Sequence, residues 1–545
     1  MLTPATDYDA LCRAFRWDVP RSFNIATAVC DRWADGTNRP ALIAPSERGV
    51  THHGFDDLKK DSNRLANLLR AQGLRAGDRL AILLGQKVET LLAHLAAWKL
   101  GAISLPLFSP FGEEALAFRL ADSGAKALIT DVEGAEKIAG IRDDLLDLKL
   151  VLATQPAPGA LALGPAMERA SDDVEVRATL ADDPALIMYT SGTTGPPKGA
   201  LHAHRVLLGH LPGVQWPNDF FPKPGDRFWT PADWAWIGGL FDVLMPSLYF
   251  GVPVVANRDR RFEPEAAIDL MIRHEIKNVF MPPTALRLLR QTEAGAASLH
   301  LRSLASGGER LGDDVIAWGR SALGLTINEF YGQTEANLLV GNNGAVMPIR
   351  SGSMGRAIPG HDVAIVDDAG EVCDPGDPGN IAVKRPDPVM FLGYWNNDAA
   401  TAEKFRDDWM LTGDIGIADE DGYITYQGRS DDVINSAGYR IGPAEIEDCL
   451  TRHPAVALAA VIGVPDDMRG EVVKACIVLR GGFEPSDDLA EEIKGFVKTR
   501  LAAHEYPRVV AFLDELPLTA TGKVMRRALR TVTAGTLIRH LNVSQ

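Results

Sequence analysis

The chain predicts an α/β fold: a large N-terminal domain of two doubly wound α/β subdomains plus a small β-barrel, followed by an α+β C-terminal domain. Three observations carry this expectation. A length of 545 residues exceeds what one hydrophobic core supports. Across residues 80–330, short apolar runs alternate with helix-period stretches, the rhythm of parallel strands joined by helices. From about residue 350 the runs shorten and turn clusters intervene, and past Arg429 helix and strand mix again. The predicted domains are residues 1–429 and 430–545.

The elements follow in order. Residues 80–84 form an apolar strand ending at Gly85, and Val88, Leu91, Leu92, Leu95 and Trp98 then repeat at a helical period. Residues 102–107 read as a strand, 113–121 as a helix and 126–130 as a strand. The rhythm resumes with a helix near 203–211. The largely apolar stretch 236–256 is too broken by Asp242, Pro246, Pro253 and its glycines to span a membrane. It predicts a buried helix, a turn and a core strand at 251–256. Helices at 264–274, 284–290 and 312–321 alternate with strands at 278–281, 303–306 and 325–330. Ligands are expected at loops beyond the carboxyl ends of these strands. Asp421-Gly422 between two strand-like runs signals a hairpin in the barrel. In the C-terminal domain a helix starts at Pro443, strands follow at 456–463 and 471–479, and Ser486 caps a further helix.

Bulk properties narrow the partners. A net charge of −16 argues against nucleic acid. Five cysteines lack the spacing of a zinc site or a disulfide framework. They read as reduced, and residues Met1 to Asp7 lack the pattern of a signal peptide, so a cytoplasmic protein is expected.

The chemistry concentrates in residues 189–199, Tyr-Thr-Ser-Gly-Thr-Thr-Gly-Pro-Pro-Lys-Gly. Glycines let a backbone approach phosphate oxygens, hydroxyls and amides donate to them, and Lys198 supplies charge. Gly199 stands where a Walker A loop needs Ser or Thr, so this is a different phosphate loop. At 328–335, Asn-Glu-Phe-Tyr-Gly-Gln-Thr-Glu ends a strand with an aromatic ring, an amide, a hydroxyl and a carboxylate. Near phosphates, Glu335 suits magnesium and Thr334 suits donation to the α-phosphate. Ser306-Gly307-Gly308-Glu309 follows another strand; alone it equally suits a plain turn. Thr412-Gly413-Asp414 offers a carboxylate fit for ribose hydroxyls.

These segments, with 428–443 and Thr519-Ala520-Thr521-Gly522-Lys523, resemble the AMP-forming acyl-CoA synthetase and adenylating superfamily, most like its acetyl- and medium-chain members. The resemblance runs over roughly residues 24 to 530 with five motifs in order. It implies ATP, magnesium and coenzyme A, a carboxylic acid substrate, and a C-terminal domain that turns about a hinge at Asp431. It further implies that Thr190, Ser191, Gly192, Thr193, Thr194, Gly195 and Lys198 meet phosphates. Gly308, Glu309, Glu329, Phe330, Tyr331, Gly332, Gln333, Asp414 and Arg429 would bind the nucleotide, with Tyr331 on adenine. Lys523, Thr334 and Glu335 take catalytic roles, Glu335 as the magnesium ligand. Ala437, Gly438, Tyr439 and Arg440 would meet coenzyme A. Arg469 and Lys498 match coenzyme A contacts of medium-chain members and equally suit solvated surface charges.

The segment 230–239 is similar to the Asp-x-Gly-Trp segment of acetyl- and medium-chain enzymes, with Ala235 in place of glycine. It puts Trp236 beside the acyl carboxyl. Gly332 and Gly307 stand where a tryptophan and a bulky aliphatic close the pocket of acetate-specific relatives, and Gly238 is small as well, so open space and an acid larger than acetate are expected: medium-chain, branched or aromatic. Rival readings are an aryl-CoA ligase, a free-standing loader of a carrier protein and a non-catalytic nucleotide sensor.

Overall fold

The computed structural model describes residues 1–46, 49–190, 196–257, 262–292, 298–430, 432, 434–436, 439–466, 469–501, 506–518 and 524–530. The chain divides into two compact units, one formed by Met1–Val363 with Val383–Asp408, the other by Ala364–Ala382 with Trp409–Gln545. The break expected after residue 429 falls inside the second unit.

Two sheets organise the first unit. One has eight strands in the order Gly393–Tyr394, Lys198–Ala203, Pro184–Thr190, Ile103–Pro106, Arg79–Leu83, Ala127–Thr130, Leu150–Ala153 and Leu161–Ala162. Its centre is parallel, as the strand–helix alternation requires. The buried faces of those strands pack with Leu116, Leu120 and Ile138 from the helices Glu113–Ser123 and Val132–Ile141. Lys198–Ala203, unforeseen in the sequence, returns antiparallel on Pro184–Thr190, and the following helix is Val206–Gln215. The second sheet has nine strands, with Ser303–Gly307 and Ile327–Gln333 parallel near one edge. Ala336–Gly341 folds back antiparallel on Ile327–Gln333.

The apolar stretch near residue 240 holds to expectation, with one refinement. Asp242 lies on a π-helical turn, Leu240–Leu244, set between the helical segments Ile237–Gly239 and Met245–Tyr249. The strand that follows is short, Val254–Val255. The predicted helix at 312–321 is likewise split, into Asp313–Trp318 and a π turn, Gly319–Leu323. Among the described residues no helix is long and apolar enough to cross a membrane.

In the second unit, Trp409–Ala418 and Ile424–Arg429 form the expected hairpin. They join a five-stranded half-barrel sheet rather than a closed barrel. The C-terminal sheet is built on the long pair Val456–Asp466 and Gly470–Leu479, with Val509–Phe512 added in parallel. Helices Pro443–Thr451 and Asp487–Lys498 cover it through Ile446, Leu450, Ile493 and Val497. Ser486 caps the second helix by accepting from Leu489 N.

Candidate active site

The phosphate loop springs from two antiparallel strands. Thr190 ends one and Lys198 begins the other, paired in register, with the Thr190 hydroxyl donating to Lys198 O at 3.3 Å. Ser191, Gly192, Thr193, Thr194 and Gly195 lie outside the described residues. Gly393–Tyr394 adds to the free edge of the returning strand. This puts the Lys198 ammonium 5.3 Å from the centre of the Tyr394 ring.

The same tyrosine reaches the second sheet. Its hydroxyl donates to Glu335 Oε1 at 2.5 Å, and Phe391 N donates to Glu335 O at 2.8 Å. Glu335 is buried at the turn leaving Ile327–Gln333, and Thr334 precedes it there. Lys198 and Glu335, a cation and an acidic group, are thereby gathered around one phenol. Lys404 Nζ donates to Gln333 Oε1 at 3.2 Å on the same turn. Tyr394 and Lys404 had no local signal in the sequence.

A single carboxylate with one oxygen held by a phenol suits magnesium, which keeps most of its waters and takes phosphate oxygens. Among the described residues there is no cluster of three or more candidate metal ligands. Glu335 would hold such an ion, whose chemistry is to neutralise charge across phosphates.

The residues expected around adenine divide. Gly308 has a φ of +89° and open space where a Cβ would be, so the chain can approach a flat group closely there. Glu309 accepts from the Thr284 hydroxyl through both oxygens, at 2.9 and 2.8 Å, and from Arg287 at 3.4 Å. Glu329 is buried and accepts from Leu311 N at 3.0 Å, so that carboxylate holds the loop after Glu309. Phe330 packs on Phe280 with ring centres 5.2 Å apart. Tyr331 is half-buried and pairs in register with Val340.

The acyl segment is well defined. Ala235, in place of the expected glycine, causes no irregularity: Asp233 Oδ1 accepts from Ala235 N at 2.8 Å and Asp233 O from Trp236 N at 3.1 Å. Burial pushes the Asp233 carboxyl up to about 6. Trp236 packs on Phe108 at 5.2 Å and on Phe111 at 6.3 Å, two rings that the sequence reading did not single out.

The expected open space at the three glycines is corrected. A Cβ on Gly307 would stand 2.6 Å from the Phe330 ring. On Gly332 it would stand 2.3 Å from Leu338 N and 2.7 Å from Asn337 Oδ1. On Gly238 it would meet Phe280 at 3.0 Å. Neighbouring chain fills the volume that absent side chains suggested.

In the second unit, Asp414 is buried and pairs in register with Arg429 on the hairpin. Tyr439 and Arg440 lie on Tyr439–Ile441, paired with Ile434–Ser436. Arg469 is exposed and donates its backbone N–H to Asp466. Lys498 ends its helix with the ammonium 5.3 Å from the Tyr506 ring centre. Asp431, Ala437, Gly438 and Lys523 lie outside the described residues. The flanks of Lys523 are nonetheless fixed. Leu518 bridges Val524, and Arg526 donates to Glu447 at 2.7 and 3.0 Å and to Asp432 at 3.2 Å. Burial disfavours the Arg526 charge, but Glu447 and Asp432 outweigh it and hold the guanidinium protonated.

The model of the AMP-binding enzyme family matches residues 30–395, and that of the AMP-binding enzyme C-terminal domain matches residues 445–523. The chain belongs to the AMP-binding enzyme family. It is 37% identical over 518 residues to acetyl-coenzyme A synthetase of Bacillus subtilis (strain 168), covering 93% of this chain and 90% of that one. It is 36% identical over 548 residues to the mitochondrial acyl-coenzyme A synthetase ACSM4 of Homo sapiens, covering 97% and 94%. The crystal structure of Brucella canis acyl-CoA synthetase matches with a TM-score of 0.75 and 36% identity, covering 96% and 98%. This AMP-binding enzyme is accordingly an AMP-forming acid–CoA ligase, with ATP, coenzyme A and a small carboxylic acid as substrates.

Proposed function

We propose that the protein activates a carboxylic acid larger than acetate, a medium-chain or branched fatty acid, as an acyl-adenylate and then passes the acyl group to coenzyme A. The observation that carries the ligase chemistry is the gathering of Lys198 and Glu335 around Tyr394, and the ring wall of Trp236, Phe108 and Phe111 supports the larger acid. That wall is far larger than a methyl group requires.

A carboxylate is a poor acyl donor because oxide is a hopeless leaving group. In the proposed first step the substrate carboxylate attacks the α-phosphorus in line and pyrophosphate departs with its bonding pair. The protein positions anions and neutralises charge on phosphate oxygens. Lys198 and the loop from Thr190 to Gly195 take the β- and γ-phosphates, and Thr334 donates to the α-phosphate. Glu335 would hold magnesium, which would neutralise charge on the phosphates. Gly308, Tyr331, Asp414 and Arg429 take the nucleoside, and Lys523 serves the carboxylate and the α-phosphate. One positioned cation in a dry site contributes about 3 kcal/mol to the transition state.

In the second step the coenzyme A thiol attacks the acyl carbonyl and AMP leaves. We assign the domain boundary at 429/430 and the hinge at Asp431 to the change between steps. Tyr439, Arg440 and the small residues Ala437 and Gly438 would line the thiol's approach, with Arg469 and Lys498 on coenzyme A phosphates. The free cysteines favour a reducing, cytoplasmic setting.

An aryl acid is the second reading, favoured by the same rings. A panel of aliphatic and aromatic acids, scored for AMP and pyrophosphate with coenzyme A present, tests both. Turnover rising from acetate to C4–C10 acids supports the first reading, and turnover confined to benzoate-like acids supports the second. ADP as product, or no AMP with any acid, overturns the enzyme assignment.

A further inference from the structure

Inside the first unit lies a polar cluster that none of the assignments above uses. Asp242, on the π-helical turn, is 4% exposed, Asn337 is 5% exposed and His210 is fully buried. The Asn337 amide donates to Asp242 Oδ1 at 2.6 Å and to His210 Nε2 at 3.4 Å. His210 Nδ1 is 2.7 Å from Val206 O, which makes that nitrogen the donor and Nε2 the acceptor. Both Asn337 N–H groups are therefore committed. Its oxygen and Asp242 Oδ2 have no hydrogen-bond partner among the described residues.

Those two oxygens face the acyl glycines. Asp242 Oδ2 is 3.4 Å from the Cβ position of Gly238, and Asn337 Oδ1 is 2.7 Å from that of Gly332. Rings adjoin them: Phe280 touches the Gly238 position at 3.0 Å and packs on Phe330. Beside Asn337, Leu338 holds a φ of +54°, in the left-handed region that costs a side-chain-bearing residue energy. A strained residue next to two open polar atoms is the pattern of a built recognition site. π-Helical turns also recur at such sites.

Burial without a neighbouring cation raises the Asp242 carboxyl well above the usual carboxylate range, which favours its protonated form. In that form Oδ2 is a donor and Asn337 Oδ1 an acceptor, one on each side of their shared hydrogen bond. A hydroxyl satisfies both at once.

The geometry points to a substrate acid that carries a hydroxyl on its chain or ring, held between Asp242 Oδ2 and Asn337 Oδ1 while Phe280 and Phe330 contact its apolar body. This rests on the reading that Trp236 lines the acyl site and that Asn337 and Phe280, which fill the volume at Gly332 and Gly238, form its wall there. A pocket built to hydrogen-bond a substrate hydroxyl rejects the analogue lacking it more strongly than an apolar pocket rejects a missing methylene.

The test compares kcat/KM for acid-dependent AMP release across matched acids. The probes are butyrate with its 3- and 4-hydroxy forms, 3-phenylpropanoate with its ring-hydroxylated forms, and the corresponding amino-substituted acids. One hydroxylated member should exceed its parent by at least about 10-fold. Asp242→Leu and Asn337→Ala should collapse that ratio. Asp242→Asn, which still offers an N–H and a carbonyl, should keep it, and being nearly isosteric it decides the matter even if Asp242→Leu fails to fold. Equal turnover of hydroxylated and parent acids overturns this inference alone. So does preference for the amino-substituted acids, or equal loss of the ratio in Asp242→Asn and Asp242→Leu. Failure of every acid to release AMP overturns the acyl-CoA ligase reading as well.

Discussion

Tyr394 donates its phenolic hydrogen to Glu335 Oε1 across 2.5 Å, tying the short strand beside the phosphate loop to the turn that ends Ile327–Gln333. Tyr394→Phe leaves the ring under Lys198 and removes the bond. Adenylation should fall about 10-fold and need more magnesium, with a stability loss of about 1 kcal/mol. Pyrophosphate release titrated with magnesium measures this. An unchanged magnesium dependence would show that Tyr394 does not orient Glu335.

Lys523→Ala should suppress acyl-adenylate formation by two or more orders of magnitude, the equivalent of about 3 kcal/mol. Thioester formation from supplied acyl-adenylate should survive. Equal loss in both half-reactions would refute the assignment of Lys523.

Asp431→Pro fixes a backbone torsion at the proposed hinge, so the thioester step should suffer more than adenylation. Single-turnover measurements of the two half-reactions separate them. A uniform reduction would place the hinge elsewhere.

Gly332→Trp bears on the acyl pocket. A Cβ at that position strikes Leu338 N at 2.3 Å, and backbone cannot step aside as a flexible side chain can. The variant should lose at least about 2 kcal/mol of stability along with its acyl profile. Were it to melt like the parent and simply favour acetate, the position would be open and the structural reading of it mistaken.

The Asp233 carboxyl, raised to about 6 by burial, gives a signed pH effect. The folded state holds this proton more tightly than the unfolded chain does. The associated stability is therefore complete below about pH 4 and is lost as pH rises through about 6. The loss is at most about 3 kcal/mol. Asp233→Asn should flatten this part of the profile in urea melts at pH 4.5 and 7, and an unaltered slope would reject the assignment.

What was legible in the sequence was what is contiguous. Glycines, hydroxyls and Lys198 within a single run announce a phosphate loop, and the alternation from residue 80 announces parallel sheet. Tyr394 was not legible, because it meets Glu335 from 59 residues away and nothing beside it marks a partner. The Asp242–Asn337 contact spans 95 residues and was hidden for the same reason. Glu329, expected at the nucleotide, is buried and accepts from Leu311 N, a contact its sequence neighbours do not announce. The glycines at 238, 307 and 332 misled in the opposite sense. A sequence shows that a side chain is missing but not that Phe280, Phe330 or Asn337 has moved into its place.

The interruption of the first unit by residues 364–382 has a consequence during synthesis. Gly393–Tyr394, which seals the edge of Lys198–Ala203, leaves the ribosome nearly two hundred residues after the strand it protects. Until then that edge offers unpaired amides and carbonyls, a template for pairing with another nascent chain. A chain stopped just before residue 393 should therefore aggregate more readily than one stopped just after Asp408, in which that edge is covered.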